Sequence, residues 1–285
     1  MAIVPERILA HSFPEVRHAY VERDAILYAL GVGLGTDPLN EKDLDHLLET
    51  RLKVLPTMAA TLASPGMWVR DPALGLDVVK LVHSAQAATF HRPLPPKAEV
   101  VGRARIAALA DRGAGRGAVL VVEREIRDTS SQDLYCTLAQ TLLLRGDGGY
   151  GGPPPTKEDE PARPEAAPNA RIELSTSPRS ALIYRLSGDW NPLHADPAVA
   201  RRAGFERPIL HGLASYGMAG IALCRALGRR PEALKSLAVR FTGVVVPGDT
   251  LRFSIWQYGA ATHFEACVDD RVVLGKGHAT WEDNP

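Results

Sequence analysis

Short runs that alternate between apolar and polar residues recur along the chain. In residues 250–256, Leu251, Phe253 and Ile255 fall on one side and Arg252 and Ser254 on the other. That period of two marks a strand with one buried face. Residues 262–268 and 272–280 continue the pattern, and residues 118–126 and 133–142 carry a similar one in the first half. One stretch behaves differently. From Tyr216 to Leu227 the chain is apolar without alternation, directly after Gly212, which predicts a buried helix. A corresponding long helix is expected in the first half, after Leu55-Pro56-Thr57-Met58.

The two halves are weakly alike. Phe90, Pro96 and Val100 align without gaps to Phe241, Pro247 and Leu251, and each block leads into strand-like segments. A helix followed by a run of antiparallel strands is an α+β pattern, with the helix packed in the curl of the sheet. Between the halves, glycines 146, 148, 149, 151 and 152 give way to prolines 153, 154, 155, 161, 164 and 168, with charged residues in the gaps. Such a segment has little apolar surface to bury and reads as a linker. The expected organisation is a unit over 1–145, a linker over 146–170 and a unit over 171–285.

Composition narrows the class. The formal net charge is zero, so neither nucleic acid nor an anionic membrane is favoured as a partner. The three cysteines, Cys136, Cys224 and Cys267, are far apart and form no CxxC, which argues against a disulfide framework or a structural zinc. No apolar run approaches the length of a membrane span. The N-terminal residues carry charge without an apolar core, and the last residues form no peroxisomal tripeptide. A reducing, cytoplasmic setting is expected.

The chemistry concentrates in residues 184–194, Tyr-Arg-Leu-Ser-Gly-Asp-Trp-Asn-Pro-Leu-His. Asp189 and His194 bracket Asn191 and Pro192; the proline stiffens the loop and keeps Asn191 out of the helical region. A carboxylate and an imidazole held this way can share one water, as general acid–base chemistry near neutral pH requires. Asp196-Pro197 reads as a helix cap with proline at the first helical position. Seventeen residues after His194 comes His211-Gly212. Backbone N–H groups at a helix start there could hold a developing oxyanion. The His211 side chain itself reads as structural. No cluster has convincing metal spacing, and no Gly-x-Gly-x-x-Gly follows a strand, so neither a metal nor a dinucleotide is expected.

Tyr184, Ser187, Gly188, Asp189, Asn191, Pro192, His194, His211 and Gly212 together resemble the motif of the MaoC-like family, in particular the (R)-specific enoyl-CoA hydratases known as hydratase 2. In the first half, residues 28–33, 54–57 and 93–95 resemble that family too. The resemblance covers nearly the whole chain except the linker. It implies a double hot dog fold, two tandem units each with a long helix wrapped by an antiparallel sheet, as in the hydratase domain of peroxisomal multifunctional enzyme type 2. It also implies hydration of a trans-2-enoyl-CoA to the (R)-3-hydroxyacyl-CoA. Asp189 and His194 would activate water, Asn191 would orient it, and the Gly212 N–H would stabilise the oxyanion. For the coenzyme A thioester, the resemblance implies contacts at His83, Ser84, Arg112, Tyr184, Trp190 and Phe241. A homodimer is expected. No Asp-x-Asn-Pro-x-His follows Tyr28 in the first half, so the repeat carries one catalytic loop, and the first unit is expected to cover the acyl chain. Three alternatives stay open: a dehydratase for a branched or sterol side-chain CoA ester, an acyl-CoA thioesterase, and a non-catalytic acyl-CoA binder.

Overall fold

The computed structural model describes residues 3–156 and 164–282. Among these residues, ten strands build one antiparallel sheet. In chain order they are β1 (Val16–Tyr20), β2 (Leu81–Phe90), β3 (Ala98–Asp111), β4 (Ala118–Asp128), β5 (Leu134–Leu144), β6 (Ala170–Ser175), β7 (Leu234–Phe241), β8 (Thr250–Tyr258), β9 (Ala261–Val268) and β10 (Arg271–Trp281). Their spatial order is β1-β3-β4-β5-β2-β7-β10-β9-β8-β6. Read outward from the centre, the two halves have the same connectivity. The weak sequence repeat is therefore a structural one: Phe90 and Phe241 each end the second strand of their half. Those two strands pair antiparallel, with Ala87 opposite Ala238, and join the halves into one continuous sheet. This is the double hot dog arrangement.

Among the described residues, five α-helices accompany the sheet: α1 (Pro5–Leu9), α2 (Glu22–Gly31), α3 (Ser180–Tyr184), α4 (Pro197–Arg202) and α5 (Gly212–Leu227). Helix α5 is the buried helix expected from the apolar run, and residues 214–224 are all buried. Asp196 caps α4 as expected, accepting from the N–H groups of Ala198 and Val199.

The first half departs from expectation. No long helix follows Leu55. The chain makes a 3₁₀ helix over Pro56–Thr61 and then turns away. Ala63 takes a positive φ of 46°, and Ser64-Pro65-Gly66 follows. Proline offers no N–H and drives its predecessor from the helical region, so no further turn can form.

The linker also departs in part. Asp111, at the end of β3, accepts from the N–H groups of Gly149 and Gly151, and its own N–H donates to the Pro153 carbonyl. Tyr150 packs on an apolar cluster, and on the far side Trp256 Nε1 donates to the Ala166 carbonyl. Both flanks are pinned to the sheet. Residues 157–163 of the expected linker lie outside the described residues.

Candidate active site

The Asp-x-Asn-Pro-x-His loop is built by its own sequence. Helix α3 ends at Tyr184, a tight turn follows, and Gly188 reverses the chain with φ at 112°, a value that favours glycine. The Asn191 N–H donates to Asp189 Oδ1 at 3.2 Å, and the Leu193 N–H donates to Asn191 Oδ1 at 3.1 Å. These are Asx-type turns, in which a side chain stands in for a backbone acceptor. Asn191 is extended, with ψ at 119°, as the following proline requires. Asn191 thus shapes the loop with its amide oxygen, in addition to any orienting role.

His194 is buried. Its Nδ1 lies 2.9 Å from the Ile209 carbonyl, and a carbonyl only accepts, so Nδ1 carries the proton and Nε2 keeps a lone pair. Burial lowers its pKa, against raising contributions from the Ile209 carbonyl and Asp189. His211 stacks on it, with ring centroids 3.8 Å apart and planes at 29°. The His211 Nε2–H donates to the Asp189 backbone carbonyl at 3.2 Å. Burial, reinforced by His194, lowers His211 to about 4, so both rings are neutral bases at neutral pH. Ligand atoms of Asp189, His194 and His211 all lie within 4.8 Å of one another, a separation that one water with two hydrogen bonds of about 2.8 Å spans.

The spacing along the sequence did not point to that triplet as a metal-ligand set. Zinc needs ligand lone pairs that converge at about 2.0–2.1 Å. Imidazoles stacked face to face direct theirs side by side, and one nitrogen of each ring already faces a carbonyl.

Helix α5 starts at Gly212. The N–H groups of Ala214 and Ser215 bond to the His211 carbonyl, while those of Gly212 and Leu213 have no acceptor within the helix. A Cβ at 212 would meet the Phe241 ring at 3.3 Å, so this close approach favours glycine. A cavity of about 470 Å³ lies beside these groups, lined by Tyr184, Asp189, Trp190, Asn191 and Leu213 from the second half, with His194, His211 and Gly212 standing behind the lining. The first half contributes His83, Gln86, Arg124 and Gln140, and the segment 60–70 that replaces the missing helix.

Of the residues expected to hold coenzyme A, His83, Tyr184 and Trp190 line this cavity. Trp190 is 56% exposed at its mouth, with the Arg185 guanidinium 4.6 Å above its ring. Phe241 stands behind the lining, edge-on to His83 at 5.0 Å. Ser84 Oγ donates to the Thr141 carbonyl, and Arg112 is exposed on the β3–β4 turn. The structure does not bring those two to the cavity. Arg124, Gln86 and Gln140 were not anticipated, although the sequence carries a signal for two of them. Arg124 interrupts Val122 and Ile126, and Gln140 interrupts Leu138 and Leu142, on the buried sides of their strands.

Residues 159–276 match the MaoC like domain, and residues 18–146 match the MFE-2 hydratase 2 N-terminal domain. The chain belongs to the MaoC-like dehydratase family. It is 36% identical over 281 residues to the peroxisomal enoyl-CoA hydratase 2 of Arabidopsis thaliana, covering 93% of this chain and 90% of that one. The crystal structure of a MaoC-like dehydratase from Phytophthora capsici superimposes with a TM-score of 0.86, at 28% identity, over 99% of this chain and all of the other. A Mycobacterium tuberculosis protein described as having a double hotdog fold matches at a TM-score of 0.54 and 15% identity, over 95% of each chain, which bears on the fold alone. No helix among the described residues is long and apolar enough to cross a membrane.

Proposed function

We propose that this MaoC-like protein is a hydro-lyase that adds water reversibly to a trans-2-enoyl-CoA, forming the (R)-3-hydroxyacyl-CoA without a metal or redox cofactor. One observation carries the reading. Asp189 lines the cavity, and the neutral His194 ring behind it has a nitrogen within 4.8 Å of the carboxylate, close to the start of α5, where N–H groups lack a helical acceptor. The two side chains hold a water between them. As its oxygen bonds to C3, its proton passes to the pair, which then delivers a proton to C2 and returns to its starting state. Negative charge gathers on the thioester oxygen, where the Gly212 N–H at the positive end of α5 receives it. Asn191 keeps the loop in this geometry.

His83, Tyr184 and Trp190 are our candidates for thioester contacts. The relatives' names support hydratase chemistry. A cytoplasmic setting rests on three free thiols, and a homodimer belongs to the same reading.

Crotonyl-CoA tests the reaction. Loss of enoyl absorbance without release of free thiol supports hydration, whereas thiol release identifies a thioesterase and replaces this reading. Chiral analysis of the product, with chelator present, checks the rest. An (S) product, or activity that chelator abolishes and metal restores, contradicts it.

A further inference from the structure

The inner face of the first-half sheet is not uniformly apolar. Ile126, Leu138 and Ala88 belong to one buried cluster, and Val122, Leu120 and Leu142 to another. Polar side chains on three adjacent strands mark the division. They are Arg124 on β4, Gln140 on β5 and Gln86 on β2, with Gln86 directly opposite Gln140 and Arg124 opposite Leu138. All three line the cavity.

Arg124 is the unusual member. One of its terminal nitrogens donates to the Ala60 carbonyl at 2.7 Å, and its buried Nε has no partner. No carboxylate forms an ion pair with it among the described residues, and burial pushes its pKa down to about 10. Arg124 is half-buried and faces the cavity without a counter-charge, and an unbranched hydrocarbon chain lying against it would strip its remaining water at a cost. Of the neighbouring glutamines, Gln86 Nε2 donates to the Ala87 carbonyl and Gln140 Nε2 lies 3.4 Å from His83 Nδ1, so neither compensates the charge. His83 does not add charge, because burial holds it at about 4.

We propose that the acyl arm of this pocket takes an enoyl chain that itself carries a carboxylate, received by Arg124. The inference rests on the hydratase reading and narrows its substrate to thioesters of dicarboxylic acids. An Arg–carboxylate pair supplies the missing charge and is geometrically specific.

Binding tests this independently of turnover. Calorimetry would compare glutaryl-CoA with pentanoyl-CoA, and adipyl-CoA with hexanoyl-CoA, on the intact protein. In at least one pair the carboxylate member should bind at least tenfold tighter. Arg124→Met should remove that preference and Arg124→Lys should retain part of it. Equal or tighter binding of both methyl-terminated members overturns the proposal, and the wild-type comparison decides this even if the variants do not fold. Repeating the pairs as pantetheine thioesters, which lack the phosphates of coenzyme A, separates the other anionic source. If the Arg124→Met effect vanishes there, Arg124 holds a phosphate and the proposal fails. Crotonyl-CoA hydration, followed separately, reports on the parent reading.

Discussion

At the residue scale, the proposed sharing of one water by Asp189 and His194 means that they should behave as a unit. Asp189→Asn keeps the shape of the side chain but removes the proton acceptor. Turnover of crotonyl-CoA should fall by ~10²–10⁴, the usual contribution of a general base. His194→Ala should do comparable damage, and the double variant should fall far short of the product of the two losses. Retention of more than about a tenth of wild-type turnover by Asp189→Asn would remove it from the catalytic role.

The buried histidines also make stability depend on pH. His211 and His83 lie near 4 in the fold, held down chiefly by burial, against 6.5 for a free imidazole. Between those values the unfolded chain binds more protons than the folded one, so stability rises with pH. Their contribution is complete above 6.5 and is lost as pH falls toward 4. Thermal midpoints should drop between pH 7 and pH 5, and His211→Gln should flatten that slope. A midpoint that rises on acidification across this window would contradict the assignment.

At the scale of elements, α5 is the helix around which the second half closes. It approaches α2 closely: a Cβ at Gly217 would lie 2.6 Å from Val32 Cγ1 and 2.7 Å from the Tyr28 hydroxyl. Both neighbours are buried and have little room to move. Gly217→Val should therefore destabilise the protein by about 1–3 kcal/mol or more through overpacking, measured by denaturant unfolding. An unchanged midpoint would mean that α5 and α2 are less tightly packed than described. The apolar run announced α5 because all its sides are covered. The expected counterpart after Leu55 does not form, because its apolar residues also suit a short buried turn and Ser64-Pro65-Gly66 ends helical geometry soon after it begins.

At the scale of the whole molecule, β2–β7 pairing makes the two hot dog units one sheet. Limited proteolysis should cut first within residues 146–170, where glycine, proline and charge predominate in the sequence. The two fragments should stay together through the central strand pair, as size-exclusion chromatography would show. Early cleavage within residues 213–227 instead would contradict the burial of α5. The composition of the segment was legible, but its anchoring was not. The contacts of Asp111 with Gly149 and Gly151 join residues about forty positions apart and leave no local periodicity to read.

By itself, the sequence determined five of the strands, β4, β5 and β8 to β10, together with the α5 helix, the duplication and the 184–194 loop. These are local: alternation, an unbroken apolar run, a proline after Asn191 and a glycine where φ is positive all act within a few residues. Tertiary structure decided the rest. His211 stacks on His194 because α5 and the 189–194 loop converge, and spacing along the chain carries no information about ring planes. Arg124, Gln86 and Gln140 become one polar strip only when β4, β5 and β2 lie side by side in register. Ser84 and Arg112 fall away from the cavity for the same reason, since which face a side chain takes is set by strand register and turn placement across the whole sheet.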